Sequence, residues 1–511
     1  LRYFLHKEQE CLPQKETLSF QSLSVGHTNH TQSFCAPFTA MASESKLHIV
    51  VFPWLAFGHM IPFLDLSKFI AQKGHKVSFV STPRNIKRLP KLPPNLAPLI
   101  NLVDLPLPRI HNLPEHAEAT IDVCAEDVVF LKKAFDGLEN DFSRFLENSS
   151  ADWVIYDFAP HWLPPIASKL GISCAFFSIF SAWLITFAGR SASMMIDGSD
   201  PRKSPEDFTV PPEWVPFPTN LAYRQYETNW IQSAIENTDS GFSDVYRLGS
   251  AIMGCDVILI RDCNELEPAW LKLFEELYQK PVIPVGLMPP SVKDSGDEKD
   301  EKWVSIRNWL ESKTKGSVVY VALGSEVTLS QNDVTELALG LELSGLPFIW
   351  ALRKPPGSTE SDSVELPHGF LERIKGRGLV WTSWVPQLRI LSHDSIGGFL
   401  THCGCSSTVE GLMFGHPLIM LPFFVGQGLN ALVLVEKKVG IQIQRNEEDG
   451  SFTRNSVAES LILVMAENEG RIYREKAKGL SELLFTDNNG EDRYLNQFAE
   501  YLESHGRLHK S

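Results

Sequence analysis

Residues 384–427, WVPQLRILSHDSIGGFLTHCGCSSTVEGLMFGHPLIMLPFFVGQ, hold aromatic, hydroxyl, imidazole and carboxylate groups at spacings that packing alone does not require. The apolar run GGFL predicts a strand and TVEGLMFG predicts a helix. The turn between them, residues 401–407, aims hydroxyls and unpaired backbone N–H groups at a helix N-terminus, where the positive end of the helix dipole favours an anion. Ser and Thr also cap helices for structural reasons alone, so the turn gains its meaning from its neighbours. A strand that passes through such a turn into a helix is the unit of a parallel α/β sheet.

Outward from that segment the same alternation repeats. SVVYVALGS, PFIWALR, GLVWTSW and PLIMLPF read as further strands, and NDVTELALGLELSG as a helix between two of them. Nearer the start, LHIVVF leads through Gly58 to Pro62, which is expected to open a helix closed by Gly74, and KVSFVS follows as a second strand. LINLVDL, DWVIYD, CAFFSIF and DVILIRD continue the pattern. PPSVKDSGDEKDE lacks apolar periodicity and separates the two halves. The expectation is an α/β protein of two doubly wound, Rossmann-like parallel-sheet domains. The first covers residues 45–287 and the second 303–490, with a linker at 288–302 and a closing helix at 491–511. Residues 1–40 are polar, carry no signal-peptide pattern and precede MASESK at Met41, so they read as a non-native or disordered extension.

With 511 residues, 43% of them hydrophobic, the chain can bury more than one core. A net charge of -15 argues against a nucleic-acid partner, while leaving room for a small anion held by backbone amides. Eight scattered cysteines do not form a disulfide framework, and no apolar run reaches eighteen residues. A cytoplasmic, monomeric protein without a membrane span is expected.

The outline Trp-x-Pro-Gln, then residues 401–404, Ser407, Glu410, Pro417, Gln427 and Asn430, resembles the signature box of plant family 1 UDP-dependent glycosyltransferases. The resemblance implies the GT-B arrangement, with an acceptor held by the first domain and a UDP-sugar by the second across a cleft. It implies that Trp384 stacks on uracil with Gln387 and the Val385 main chain nearby. His402, Gly404, Cys405, Ser406 and Ser407 would then serve the phosphates, and Glu410 the ribose hydroxyls. Gly324 and Ser325, after SVVYVAL, would form a second loop at the nucleotide. Three positions depart from the family pattern: Cys405 stands where Trp is usual, Ser406 where Asn is usual, and Gly426 where an acidic residue precedes Gln427. The missing carboxylate leaves glucose, rhamnose and xylose all open as the transferred sugar.

Transfer to a hydroxyl needs a base beside the acceptor oxygen, and histidine suits that role near neutral pH. Gly58-His59-Met60-Ile61-Pro62 resembles the family's glycine-histidine turn, and Asp157 ends DWVIYD at the same sheet edge. The resemblance makes His59 the base and Asp157 the carboxylate that orients it. It also implies an inverting displacement with UDP-sugar as co-substrate, no permanent cofactor and no metal. Phe57, Trp162, Phe180, Trp183 and Trp214 are candidate walls of an apolar acceptor cleft. FPWLAFGH, STPRNIKRLPKLP, SPEDFTVPPEWVPFP and LALGLELSGLPF resemble the branch that extends sugars on terpenoid or flavonoid glycosides. Among rival readings, a dinucleotide oxidoreductase lacks G-x-G-x-x-G after its first strand, and His402, Cys403 and Cys405 sit too tightly for tetrahedral zinc. A catalytically weakened UDP-sugar binder of the same fold is the alternative left by Cys405 and Gly426.

Overall fold

The computed structural model describes residues 46–235, 240–292, 300–353, 365–424, 426–486 and 488–505. The extension expected at 1–40 and residues 293–299 of the expected linker lie outside the described residues. Seven strands, β1 His48–Phe52, β2 Lys76–Ser81, β3 Ile100–Asp104, β4 Trp153–Tyr156, β5 Ser173–Ser178, β6 Val257–Ile260 and β7 Val282–Pro284, form the first sheet. Their order is β3-β2-β1-β4-β5-β6-β7, and every pairing is parallel. Six more, β8 Val318–Ala322, β9 Phe348–Ala351, β10 Gly378–Trp381, β11 Ile396–Thr401, β12 Leu418–Met420 and β13 Gly440–Gln442, form a second parallel sheet ordered β10-β9-β8-β11-β12-β13.

The strands are apolar on both faces because helices cover both. Val50, Phe52, Val154 and Phe176 face one core of the first sheet, and Ile49, Val51, Trp153 and Phe177 face the other. The second sheet repeats this, with Val318 and Tyr320 on one side and Val319 and Val321 on the other. Each such side chain, removed from water, contributes roughly 1.5–3 kcal/mol.

The helix Asn488–His505 returns to the first sheet. Its Phe498 and Leu502 join the core around Ile49, Val77 and Trp153, and the Leu502 carbonyl accepts from Trp153 Nε1 at 3.1 Å. Among the described residues, no helix is long and apolar enough to cross a membrane.

Two helix starts differ from the sequence expectation. The first helix is Phe57–Gln72, with Pro62 inside it, so His59 lies in its first turn and not on a turn before it. Ala56 O receives the amides of His59 at 2.9 Å and Met60 at 2.8 Å, which starts the helix early. The bond Pro62 cannot make falls on Gly58, which is exposed and open to water. Likewise the helix after β11 is Cys405–Met413, with Gly404 as N-cap, rather than beginning at Thr408.

Candidate active site

Both sheets change winding direction at one place, between β1 and β4 in the first and between β8 and β11 in the second. Open α/β sheets leave a crevice at such a point, beyond the carboxyl ends of the strands. His59 follows β1 and Asp157 follows β4; Gly324 follows β8 and His402 follows β11. The chain topology therefore collects the candidate residues at two equivalent crevices.

His59 Nδ1 and Asp157 Oδ2 are 2.8 Å apart, with side chains 12% and 2% exposed. Asp157 Oδ2 also accepts from the Trp54 amide at 3.0 Å, and Oδ1 from the Phe158 amide at 2.8 Å. Those amides fix the carboxylate, and the carboxylate selects the tautomer protonated at Nδ1. Nε2 then carries a lone pair. Phe158 and Phe180 flank the imidazole, with ring centroids 5.7 and 5.5 Å away.

In the second sheet, Cys405, Ser406 and Ser407 are the first three residues of their helix. The first intrahelical bond at this end is Thr408 N to Gly404 O at 2.9 Å, so the three preceding amides have no partner within the helix. Gly324, at φ +80°, and Gly404 approach His402 closely: a Cβ on either would lie 2.5 or 2.6 Å from its Nε2. Loss of hydration, aided by the Arg353 guanidinium, holds the His402 imidazole down at about 4, so it is neutral at physiological pH. A neutral ring donates one hydrogen bond without adding charge. Ser325 is half-buried beside Gly324, and its neighbour Glu326 accepts from Thr120 Oγ1 of the first half at 2.6 Å.

After β10, Trp384 is 57% exposed, while Val385 is buried in the core. Gln387 accepts from Tyr320 Oη at 3.1 Å and donates through Nε2 to Glu410. Burial raises the Glu410 carboxyl; the Gln387 hydrogen bond and the Arg261 guanidinium act against that rise.

Asn430 and Gly426 lie against the first half, while Gln427 is held by its own loop. Asn430 donates to Cys403 O at 3.0 Å and to Cys405 Sγ at 3.5 Å, and accepts from Trp183 Nε1 at 2.9 Å and Ser181 Oγ at 3.3 Å. Gln427 Oε1 accepts from the Phe423 and Phe424 amides. Gly426 is left-handed at φ +75°, and a Cβ there would lie 2.5 Å from Leu184 Cδ2. Leu184 thus lies against the position where the family carries an acidic side chain.

A cavity of about 700 Å³ opens in the first half, bounded at the His59 side by Phe158, Phe180 and Leu184. Its charged lining includes Asp200, Arg202 and Lys203. Of the aromatic walls expected from sequence, Phe180 alone is among its lining residues. Trp162 packs on Phe52 and Phe142, Trp183 serves Asn430, Trp214 and Phe187 both meet Arg202, and Phe57 meets Arg88. Those rings are consumed by packing and by polar partners. Residues 184–203, 223–235 and 241–248, which supply most of the cavity, carried no sequence signal because the apolar side chains that dominate its lining read like any core.

Residues 237–488 match the family described as UDP-glucoronosyl and UDP-glucosyl transferase. Over 464 residues, covering 91% of this chain and 96% of the relative, the sequence is 58% identical to UDP-glycosyltransferase 91D2 of Stevia rebaudiana. It is 42% identical to soyasaponin III rhamnosyltransferase of Glycine max, covering 91% of this chain and 97% of that protein. The solved structure of Phytolacca americana UGT2 complexed with UDP-2fluoro-glucose and pterostilbene superposes with a TM-score of 0.68 at 25% identity, covering 89% of this chain and 99% of that one. The chain belongs to the plant UDP-glycosyltransferases, two-domain GT-B enzymes that transfer a sugar from a UDP-sugar to a small metabolite.

Proposed function

We propose that this enzyme transfers glucose, rhamnose or xylose with inversion onto a hydroxyl of a terpenoid or flavonoid glycoside. The observation that carries the mechanism is the His59–Asp157 pair, 2.8 Å apart beside a cavity of about 700 Å³. His59 Nε2 removes the acceptor proton as the oxygen attacks the anomeric carbon. The bond from that carbon to the diphosphate breaks on the opposite face, and Asp157 stabilises the imidazolium that forms. UDP departs towards the amides of residues 405–407, with Trp384 under uracil and Glu410 accepting from the ribose. Those amides and the helix dipole neutralise the leaving charge, which fits turnover without a metal or a resident cofactor. Ser406, Gly426 and Gln427 are read as shaping the phosphate and sugar ends. A cytoplasmic monomer fits this reading.

Support for a glycoside acceptor comes from relatives named for such substrates, including anthocyanidin-3-O-glucoside rhamnosyltransferase of Petunia hybrida, 35% identical over 86% of this chain. The test is a panel of UDP-glucose, UDP-rhamnose and UDP-xylose with terpenoid and flavonoid monoglycosides, read by UDP release and by the anomeric configuration of the product. Glycoside-dependent release with inverted configuration is expected. Retention would overturn the mechanism, and transfer to aglycones alone would overturn the acceptor class.

A further inference from the structure

Arg261 directly follows β6 in the first sheet, yet its side chain reaches the donor helix of the second. Nη1 donates to Ser406 Oγ at 2.9 Å, while Nε donates to Leu287 O at 2.7 Å and Nη2 to Met288 O at 3.3 Å. The residue is 8% exposed. Its guanidinium favours the ionised forms of Glu410 and of the Cys405 thiol, which locates its charge at the first turn of the helix Cys405–Met413. The neighbouring Asp262 carboxylate is engaged by backbone: it accepts from the Cys263 amide at 2.8 Å and the Ala182 amide at 3.2 Å.

A cation at this end of a helix opposes the helix dipole, which favours negative charge there. An anion held at the amides of residues 405–407 is attracted by the helix end and by the guanidinium alike. The Ser406 hydroxyl, where the family carries Asn, is short enough to accept from Arg261 and so link the two.

We propose that Arg261 is a positioning residue for the diphosphate of the UDP-sugar, acting from the acceptor half through Ser406 on the helix end that receives the leaving group. This rests on the donor site described above. It couples the diphosphate to both halves, so that its charge helps hold the donor helix against the first sheet.

The experiment compares the affinities of the full-length protein for UDP and for uridine by calorimetry, in wild type and in the Arg261→Gln, Arg261→Lys and Ser406→Ala variants. Wild type should bind UDP far more tightly than uridine; equal affinities would overturn the donor-site reading itself. Arg261→Gln should weaken UDP by ~10-fold or more and leave uridine unchanged, as expected for loss of a charge-assisted contact. Arg261→Lys, which keeps the charge, should recover part of the loss, and Ser406→Ala should lower the UDP-to-uridine ratio less than Arg261→Gln. If Arg261→Gln leaves that ratio at the wild-type value, whether both ligands weaken together or neither does, Arg261 is only a structural staple and the inference fails. Steady-state kinetics give a second reading: KM for the UDP-sugar should rise in Arg261→Gln while KM for the acceptor stays within twofold.

Discussion

At His59 the chemistry is set by what Asp157 has already been given. Its two oxygens accept two backbone amides besides the imidazole, so the carboxylate cannot turn away and the ring cannot flip without breaking a bond. His59→Ala should lower kcat by about 10²-fold or more and leave UDP affinity near wild type, as measured by UDP-release kinetics and calorimetry. A variant that keeps normal turnover would remove His59 from the reaction. This pair was legible in the sequence because Gly58-His59 and Asp157 each follow a strand-like run and resemble the family's glycine-histidine turn and its aspartate, and a parallel sheet sets the carboxyl ends of its strands along one edge. Arg261 was not legible. It is an ordinary charged residue after a strand, and its partner Ser406 lies 145 positions further along the chain.

Among the elements, the strands were read more accurately than the helix starts. Continuous apolar runs such as VVYVA declare a buried strand, whereas β7 and β13, three residues each and partly exposed, carry too little pattern to declare anything. Both displaced helices begin earlier than their apolar periodicity because backbone groups start them: Ala56 O in one case, Gly404 O in the other. The helix Gln427–Glu436 has a more specific dependence on its N-cap, Gly426. An L-residue there is placed in the left-handed region, at a cost on the order of 1–3 kcal/mol, and collides with Leu184. Gly426→Asp should therefore lower the thermal unfolding midpoint and fail to improve transfer from UDP-glucose. Adding Leu184→Ala should recover part of the lost stability and raise transfer from UDP-glucose above that of the single variant. A stable, more active Gly426→Asp single variant would show that Leu184 does not occupy the carboxylate's place.

On the scale of the whole molecule, two sheets of the same winding bring their switch points to a shared chemistry, and the halves are tied by an apolar core that takes in Val409, Leu429 and Val433 beside Trp183 and Leu184, and by polar pairs such as Thr120–Glu326 and Lys437–Glu267. Asn430 joins residues 403 and 405 to residues 181 and 183. The returning helix adds another tie, with Tyr494 Oη accepting from the Asn264 amide at 2.9 Å and donating to Glu265 at 2.6 Å. Phe498→Ala should destabilise the protein by about 3–5 kcal/mol, seen as a lower denaturant midpoint, while the folded fraction binds UDP as wild type does. An unchanged midpoint would mean that the helix only rests on the sheet.

That helix also imposes an order in time. Trp153 waits for Leu502, which lies 349 positions later. At ribosomal speeds of about 5–20 residues per second, the interval is on the order of half a minute. During synthesis the first domain therefore emerges with the patch around Trp153 not yet met by Phe498 and Leu502, and that patch is sealed only when nearly all of the described chain has been made.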